Sequence, residues 1–209
     1  MSPTGGRRPV PRGVFAIEDQ QLLLPDPIAL DTSFVVEALL TTQPLHPACS
    51  AFLRRIFDSG VVVVTSDLLA VELAESAFAI TLKERWSGRW RGHRTDGRSR
   101  RPATQRLNHT VMSYEALLSP VNHLPIPVRR VTADARVLMA DFGIASYDAV
   151  HAASAIAAGA EAIVTLDTGF ALLPSAQLAI YTDRSRVASC SKKRPHQPAS
   201  LKPSIQYPG

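Results

Sequence analysis

The chain has 209 residues, 45% of them apolar, and a formal net charge of +5. That composition suits one globular domain with appendages; no apolar run approaches a membrane span, and the opening "MSPTGGRRPVPRG" lacks the apolar block of a secretory signal. Two cysteines in unlike contexts, Cys49 and Cys190, exclude a disulfide framework and a zinc pattern, so a reduced, cytoplasmic protein is expected.

In chain order, residues 1–20 read as a flexible N-terminal arm, rich in Pro, Gly and Arg, ahead of a single domain over 21–182. "PIALD" is a short buried strand followed by the helical "SFVVEALL". "PACSAFLRRIFDSG" is an amphipathic helix ending at Gly60, and "VVVVT" is a second strand. A helix apolar nearly all round follows from about Asp67 to Leu82. A basic insertion at 83–106 then interrupts, and "RLNHTVMSYEALL" resumes helical periodicity. "HLPIPV" is a strand that its prolines demote towards a sheet edge. "TADARVLMADFG" is a helix stopped by Gly143, and the helix opening "ASYDAVHAA" stops at Gly159. "AIVTLD" and "QLAIYT" are the last strands, and 183–209 reads as a flexible basic tail. Strands alternating with helices imply an α/β fold: a three-layer α/β/α sandwich around a mostly parallel sheet.

Charge is unevenly spread. The insertion 83–106 holds nine basic and two acidic residues, and the tail 183–209 six basic and one acidic. The body, 21–82 with 107–182, holds five basic and thirteen acidic residues. An acidic body with basic appendages calls for a local explanation of each.

Four of the body's acids fall where a site could be built. In a parallel sheet, ligands gather beyond the carboxyl ends of the strands. Asp31 closes the strand "IAL", Asp167 closes "AIVTL", and Asp148 opens a helix that starts at the same rim. Within "TSDLLAVELAES" an acid on an apolar helix face is costly to bury unless paired or bound to a cation; periodicity leaves Glu72 and Glu75 both open. Each acid also has a bland reading as a turn residue or cap, with Ser146 as the N-cap of the Asp148 helix. Gathered at one edge, they would raise one another's pKa values unless a divalent cation neutralised them. Oxygen donors without histidine or thiol favour Mg²⁺ or Mn²⁺, and such sites suit phosphodiester hydrolysis.

"IALDTSFVVEALL", "VVVVTSDLLAVELAES", "ASYDAVHAASAIAAGAEAIVTLDTGF" and "LAIYT" together resemble the PIN-domain family, and within it the VapC-type ribonuclease toxins. The resemblance covers about 28–82 and 107–182. It implies an α/β/α fold whose acidic pocket binds Mg²⁺ or Mn²⁺ and cleaves RNA. It maps catalytic and metal-ligating roles onto Asp31, Glu72, Asp148 and Asp167, which selects Glu72 over Glu75, and a supporting hydroxyl onto Thr165. Asp31 and Asp148 would be the strongest ligands, with Glu72 and Asp167 positioning water. The implied partners are RNA, an antitoxin protein and a second copy of the chain, with no membrane. A PIN nuclease of RNA processing or DNA without an antitoxin, and a non-catalytic nucleic-acid-binding module, are the alternatives. The chain departs from compact relatives in its insertion, arm and tail, and in carrying Glu75 where many have a basic residue.

Other residues carry less. His151, one turn beyond Asp148, is expected to pack or hydrogen-bond rather than ligate a metal, and the remaining histidines show no metal spacing. "DTS" at 31–33 lacks the second aspartate that an aspartyl phosphatase of haloacid-dehalogenase type would place at Ser33. Trp86 and Trp90, among arginines, suit base stacking or simple packing equally.

Overall fold

A computed structural model describes residues 12–195. The strands are β1 (Val14–Ala16), β2 (Ile28–Leu30), β3 (Val63–Ser66), β4 (His123–Ile126), β5 (Ala162–Val164) and β6 (Ala179–Thr182). They form one sheet in the order β1-β6-β5-β2-β3-β4, and every neighbouring pair is parallel. The helices are α1 (Thr32–Leu39), α2 (His46–Asp58), α3 (Leu68–Trp86), α4 (Gly97–Leu118), α5 (Val128–Phe142), α6 (Ser146–Ala157) and α7 (Arg184–Lys193). This is the expected three-layer α/β/α sandwich, and "HLPI" lies at a sheet edge as its prolines require. Among the described residues no helix is long and apolar enough to cross a membrane.

The period-two alternation of the strands builds two cores. Ile28, Leu30, Val63, Val164 and Tyr181 face α1–α4, where Phe34, Phe52, Ile56, Leu69 and Leu73 are buried. Ala29, Val64, Ile163 and Ile180 face α5 and α6, meeting Val131, Leu138 and the alanines of α6. Burying each large side chain contributes about 1.5–3 kcal/mol. The small residues Ala149, Ala152, Ala153 and Ala155 let α6 lie close on the sheet. Gly159, with φ of +69°, turns the chain from α6 towards β5 in a conformation a side chain would strain.

Three stretches depart from the expectations. Residues 14–16, inside the supposed arm, form β1 against β6, because the apolar run "VFAI" can complete the sheet and bury Ile17. Residues 184–193, inside the supposed tail, form α7, capped by Asp183, which accepts from the Ser185 amide at 3.0 Å, and seated by the fully buried Cys190. The basic insertion separates two helices as expected, but both of its ends are themselves helical. The helix α3 runs on to Trp86, a 3-10 turn spans Ser87–His93, and α4 starts at Gly97. Asp96 caps α4 by accepting from the Ser99 amide at 3.0 Å, a signal hidden among the arginines. Residues 83–106 are thus the tip of a helical hairpin. The rest of the arm and tail, 1–11 and 196–209, lies outside the described residues.

Candidate active site

Asp31 follows β2 directly. Its amide donates to the Val164 carbonyl at 3.0 Å, which sets it against the end of β5. Its side chain caps α1, so the bland reading of this residue holds structurally: Oδ2 accepts from the Ser33 amide at 3.2 Å and the Ser33 hydroxyl at 2.5 Å. Thr165 donates a further bond to Oδ2 at 2.8 Å. Three donors on one oxygen fix a side chain that is only 4% exposed.

Asp167 follows β5 by the same logic. Its amide donates to Thr165 Oγ1 at 2.9 Å, and its Oδ1 accepts from the Gly169 amide at 2.7 Å, capping the 3-10 turn Thr168–Leu172. Thr165 therefore joins Asp31 to Asp167, and Ser33 Oγ, accepting from the Leu166 amide at 2.9 Å, joins the same two loops.

Glu72 stands in the first turns of α3. Its Oε2 accepts from Thr32 Oγ1 at 2.5 Å and meets His151 Nε2 at 2.6 Å. Burial pushes its carboxyl up, yet the bonds from His151 and Thr32 outweigh that and hold it below the usual range. Glu75, one turn on, points elsewhere: it is exposed and paired with both guanidinium nitrogens of Arg94, at 2.5 and 2.8 Å. The structure thus separates the two glutamates that periodicity left open. The basic hairpin also folds back along α3 to reach Glu75, where Arg94 lies over Phe78 and Trp90.

His151 belongs to the site through hydrogen bonds, as expected of it. It is 3% exposed, with Nδ1 3.1 Å from Ser66 Oγ and Nε2 bonded to Glu72 and 3.9 Å from Asp31 Oδ1. Burial lowers its pKa, but the bond to Glu72 and the charges of Asp31, Glu72 and Asp148 raise it more, so the net shift favours the imidazolium beside the Glu72 carboxylate. Replacing His151 with Ala leaves Ser66 and the half-buried Glu72 short of a partner and opens a cavity. The expected loss of stability is about 2–4 kcal/mol, read from denaturant unfolding. A variant as stable as the parent would show the network to be idle.

Asp148 differs from the other three. The N-cap of α6 is Ala145, with no side-chain cap, so Ser146 does not play the capping part expected of it. Asp148 lies in the first turn, and its carboxylate accepts no hydrogen bond among the described residues. Burial, then the charges of Asp167, Asp31 and Glu72, push its carboxyl up to about 7, with only His151 pulling the other way. A carboxylate left unpartnered beside three others invites a cation.

Gly169 marks the space between two of these acids. A Cβ there would stand 2.8 Å from Asp148 Oδ2 and 3.2 Å from Asp167 Oδ1. The sequence reading missed this glycine, as it missed Thr32, Ser33 and Ser66; only the i, i+3 spacing of Asp148 and His151 could have signalled part of the network. Among the described residues no three His, Cys, Asp or Glu side chains are grouped as a ready cage for a metal ion. The donor chemistry fits a hard cation that keeps most of its water and takes one or two carboxylates, which is how Mg²⁺ is usually held.

The sequence pattern of the PIN domain matches residues 28–175, most of the chain and the whole stretch from β2 past Asp167. The chain belongs to the PIN-domain family. No curated protein matches it. Membership in the PIN family implies nuclease activity, hydrolysis of nucleic-acid phosphodiester bonds. The PIN domain spans α6, β5 and the Thr168–Leu172 turn but ends before β6 and α7.

Proposed function

We propose that this PIN domain is a Mg²⁺- or Mn²⁺-dependent endoribonuclease, and the toxin component of a type II toxin–antitoxin pair. The observation that carries the nuclease chemistry is the acidic rim: Asp148, without a hydrogen-bond partner among the described residues, beside Asp167, Asp31 and Glu72 at the carboxyl edge of a parallel sheet. In this reading Asp31 and Asp148 would hold the metal, while Glu72 and Asp167 complete the pocket and orient the attacking water. A divalent cation bound there would supply Lewis-acid charge and a water of lowered pKa.

The chain's own residues do the rest. Thr165 and Ser33 lock Asp31 with its Oδ2 engaged, so that Oδ1 is the oxygen offered to the pocket. His151 holds Glu72 as a carboxylate in one orientation. Gly169 keeps side-chain bulk out of the space between Asp148 and Asp167. RNA as substrate is supported by the exposed Arg89, Arg91, Arg98, Arg100 and Arg101 of the hairpin, which offset the repulsion of an acidic rim for phosphates.

The toxin role, the antitoxin partner, a homodimer and a cytoplasmic setting rest on the resemblance of "SYDAVHAA" and "IVTLD" to VapC-type chains. Induced expression in a bacterial host tests them. Growth arrest by the parent, absent with Asp148→Asn, is the expected result. Unimpaired growth with active enzyme present in the lysate would overturn the toxin role and leave the nuclease.

A further inference from the structure

Beyond the acidic rim, Asp167 also borders a second space. A cleft of about 350 Å³ is lined by Ser33, Glu37, Leu166, Asp167, Thr168 and Arg186. Arg186 comes from α7, which lies beyond the stretch matched by the family and packs against the Thr168–Leu172 turn. The half-buried guanidinium of Arg186 makes no hydrogen bond among the described residues, and its charge acts at longer range on Asp183. Its neighbours in the cleft are otherwise engaged. Glu37 Oε2 accepts from the Leu45 amide at 2.8 Å, Ser33 donates to Asp31, and Asp167 caps its own turn.

Lys193, on the same helix, donates to Thr168 Oγ1 at 2.7 Å, which leaves the Thr168 hydroxyl proton to offer. The Arg186 guanidinium and the Thr168 hydroxyl therefore share the cleft with Asp167, and the Lys193 ammonium reaches it through Thr168. A guanidinium presents paired N–H groups that match the oxygens of a phosphate.

We propose that Arg186, with Lys193 and Thr168, is a phosphate-binding subsite that grips the nucleic-acid strand beside the bond cut at the acidic rim. The subsite rests on the nuclease reading above and adds a device that α7 supplies from outside the matched PIN segment. It answers an electrostatic need: four carboxylates repel a polyanion, and a guanidinium in the cleft beside Asp167, with hydrogen-bond capacity unused, draws a flanking phosphate in. Its contribution is to binding, since Arg186 touches no reacting atom.

The test uses full-length protein and a labelled single-stranded RNA, with binding measured across salt concentrations and cleavage kinetics at saturation. Arg186→Gln is expected to weaken binding and raise KM about tenfold, with kcat within about twofold of the parent. Losing one phosphate contact should flatten the log–log salt slope by about 0.7. Arg186→Lys should keep the slope, and Lys193→Gln, at an exposed position, should flatten it by a similar amount. Arg54→Gln, exposed on α2 and outside the cleft, is the control for lost charge alone. If Arg186→Gln and Lys193→Gln keep the parent's affinity and slope while the parent cleaves RNA, the subsite is overturned and the nuclease stands. If the parent neither binds nor cleaves RNA with Mg²⁺ or Mn²⁺, the nuclease reading falls and the subsite falls with it.

Discussion

Asp148→Asn is expected to abolish nucleic-acid cleavage, by about 10³-fold or more, while making the fold more stable. The two effects share one cause. Asp148 is a carboxylate in the company of Asp167, Asp31 and Glu72, without a hydrogen-bond donor among the described residues. Amide replacement keeps the shape and deletes the charge that would hold a cation. It also deletes the repulsion. Because the folded carboxyl is raised from the ordinary 3.8 to about 7, the folded state binds the Asp148 proton more tightly than the unfolded chain. The stability this proton confers is fully present below about pH 4 and is lost as pH rises through about 7. The asparagine variant has no such loss, so its advantage over the parent should grow from pH 4 to pH 8 in metal-free buffer. Denaturant unfolding at several pH values, beside a cleavage assay on the same samples, reads both effects. Full activity in a folded variant would remove Asp148 from the machinery. A pH-independent stability difference would show that its carboxyl is not strained by its neighbours.

Divalent cations should produce the second large effect. If Mg²⁺ or Mn²⁺ binds at the acidic rim, it does so only in the folded chain, where these acids are neighbours, and so stabilises it by mass action. At a concentration about 100 times the dissociation constant the gain is about 2.7 kcal/mol, a rise in Tm of several degrees. The same ion should remove the pH dependence described for Asp148, since a bound cation takes over the work that the proton does in its absence. Thermal unfolding with Mg²⁺, Mn²⁺ or EDTA, for the parent and Asp148→Asn, checks this. A melting temperature indifferent to all three in the parent would contradict a metal centre among Asp31, Glu72, Asp148 and Asp167.

Much of this architecture is legible without coordinates, for identifiable reasons. Short apolar runs such as "IAL" and "AIV" bounded by an acid are strong strand signals, and a parallel sheet puts both bounding acids, Asp31 and Asp167, at one edge. The α6 helix declares itself through small residues between Gly143 and Gly159. What stayed hidden depends on tertiary partners. Burial of a three-residue edge strand such as β1 depends on β6, and the Pro, Gly and Arg around it mask the pattern. In α7, ten largely polar residues are fastened through Cys190 and a cap, with no apolar stripe to announce them. The choice between Glu72 and Glu75 turns on Thr32, His151 and Arg94, none of which periodicity can place nearby.

The tryptophans show the same limit. Trp86 donates to Ser99 Oγ at 3.0 Å and stacks on His93 at 3.7 Å, so it packs the hairpin. Trp90 sits among Lys83, Arg91 and Arg94, a cation–π cluster that stiffens the same turn. One of two equal expectations for Trp86 is thereby met by packing.

The most direct measurement is cleavage of a labelled single-stranded RNA by the purified full-length chain, in Mg²⁺, in Mn²⁺ and after exhaustive chelation, with single-stranded DNA of the same sequence alongside. Internal cuts in RNA that require either ion, vanish with EDTA and are absent in Asp148→Asn are the expected result. Cleavage that survives chelation, or a folded parent that cuts neither strand with either ion, would contradict it.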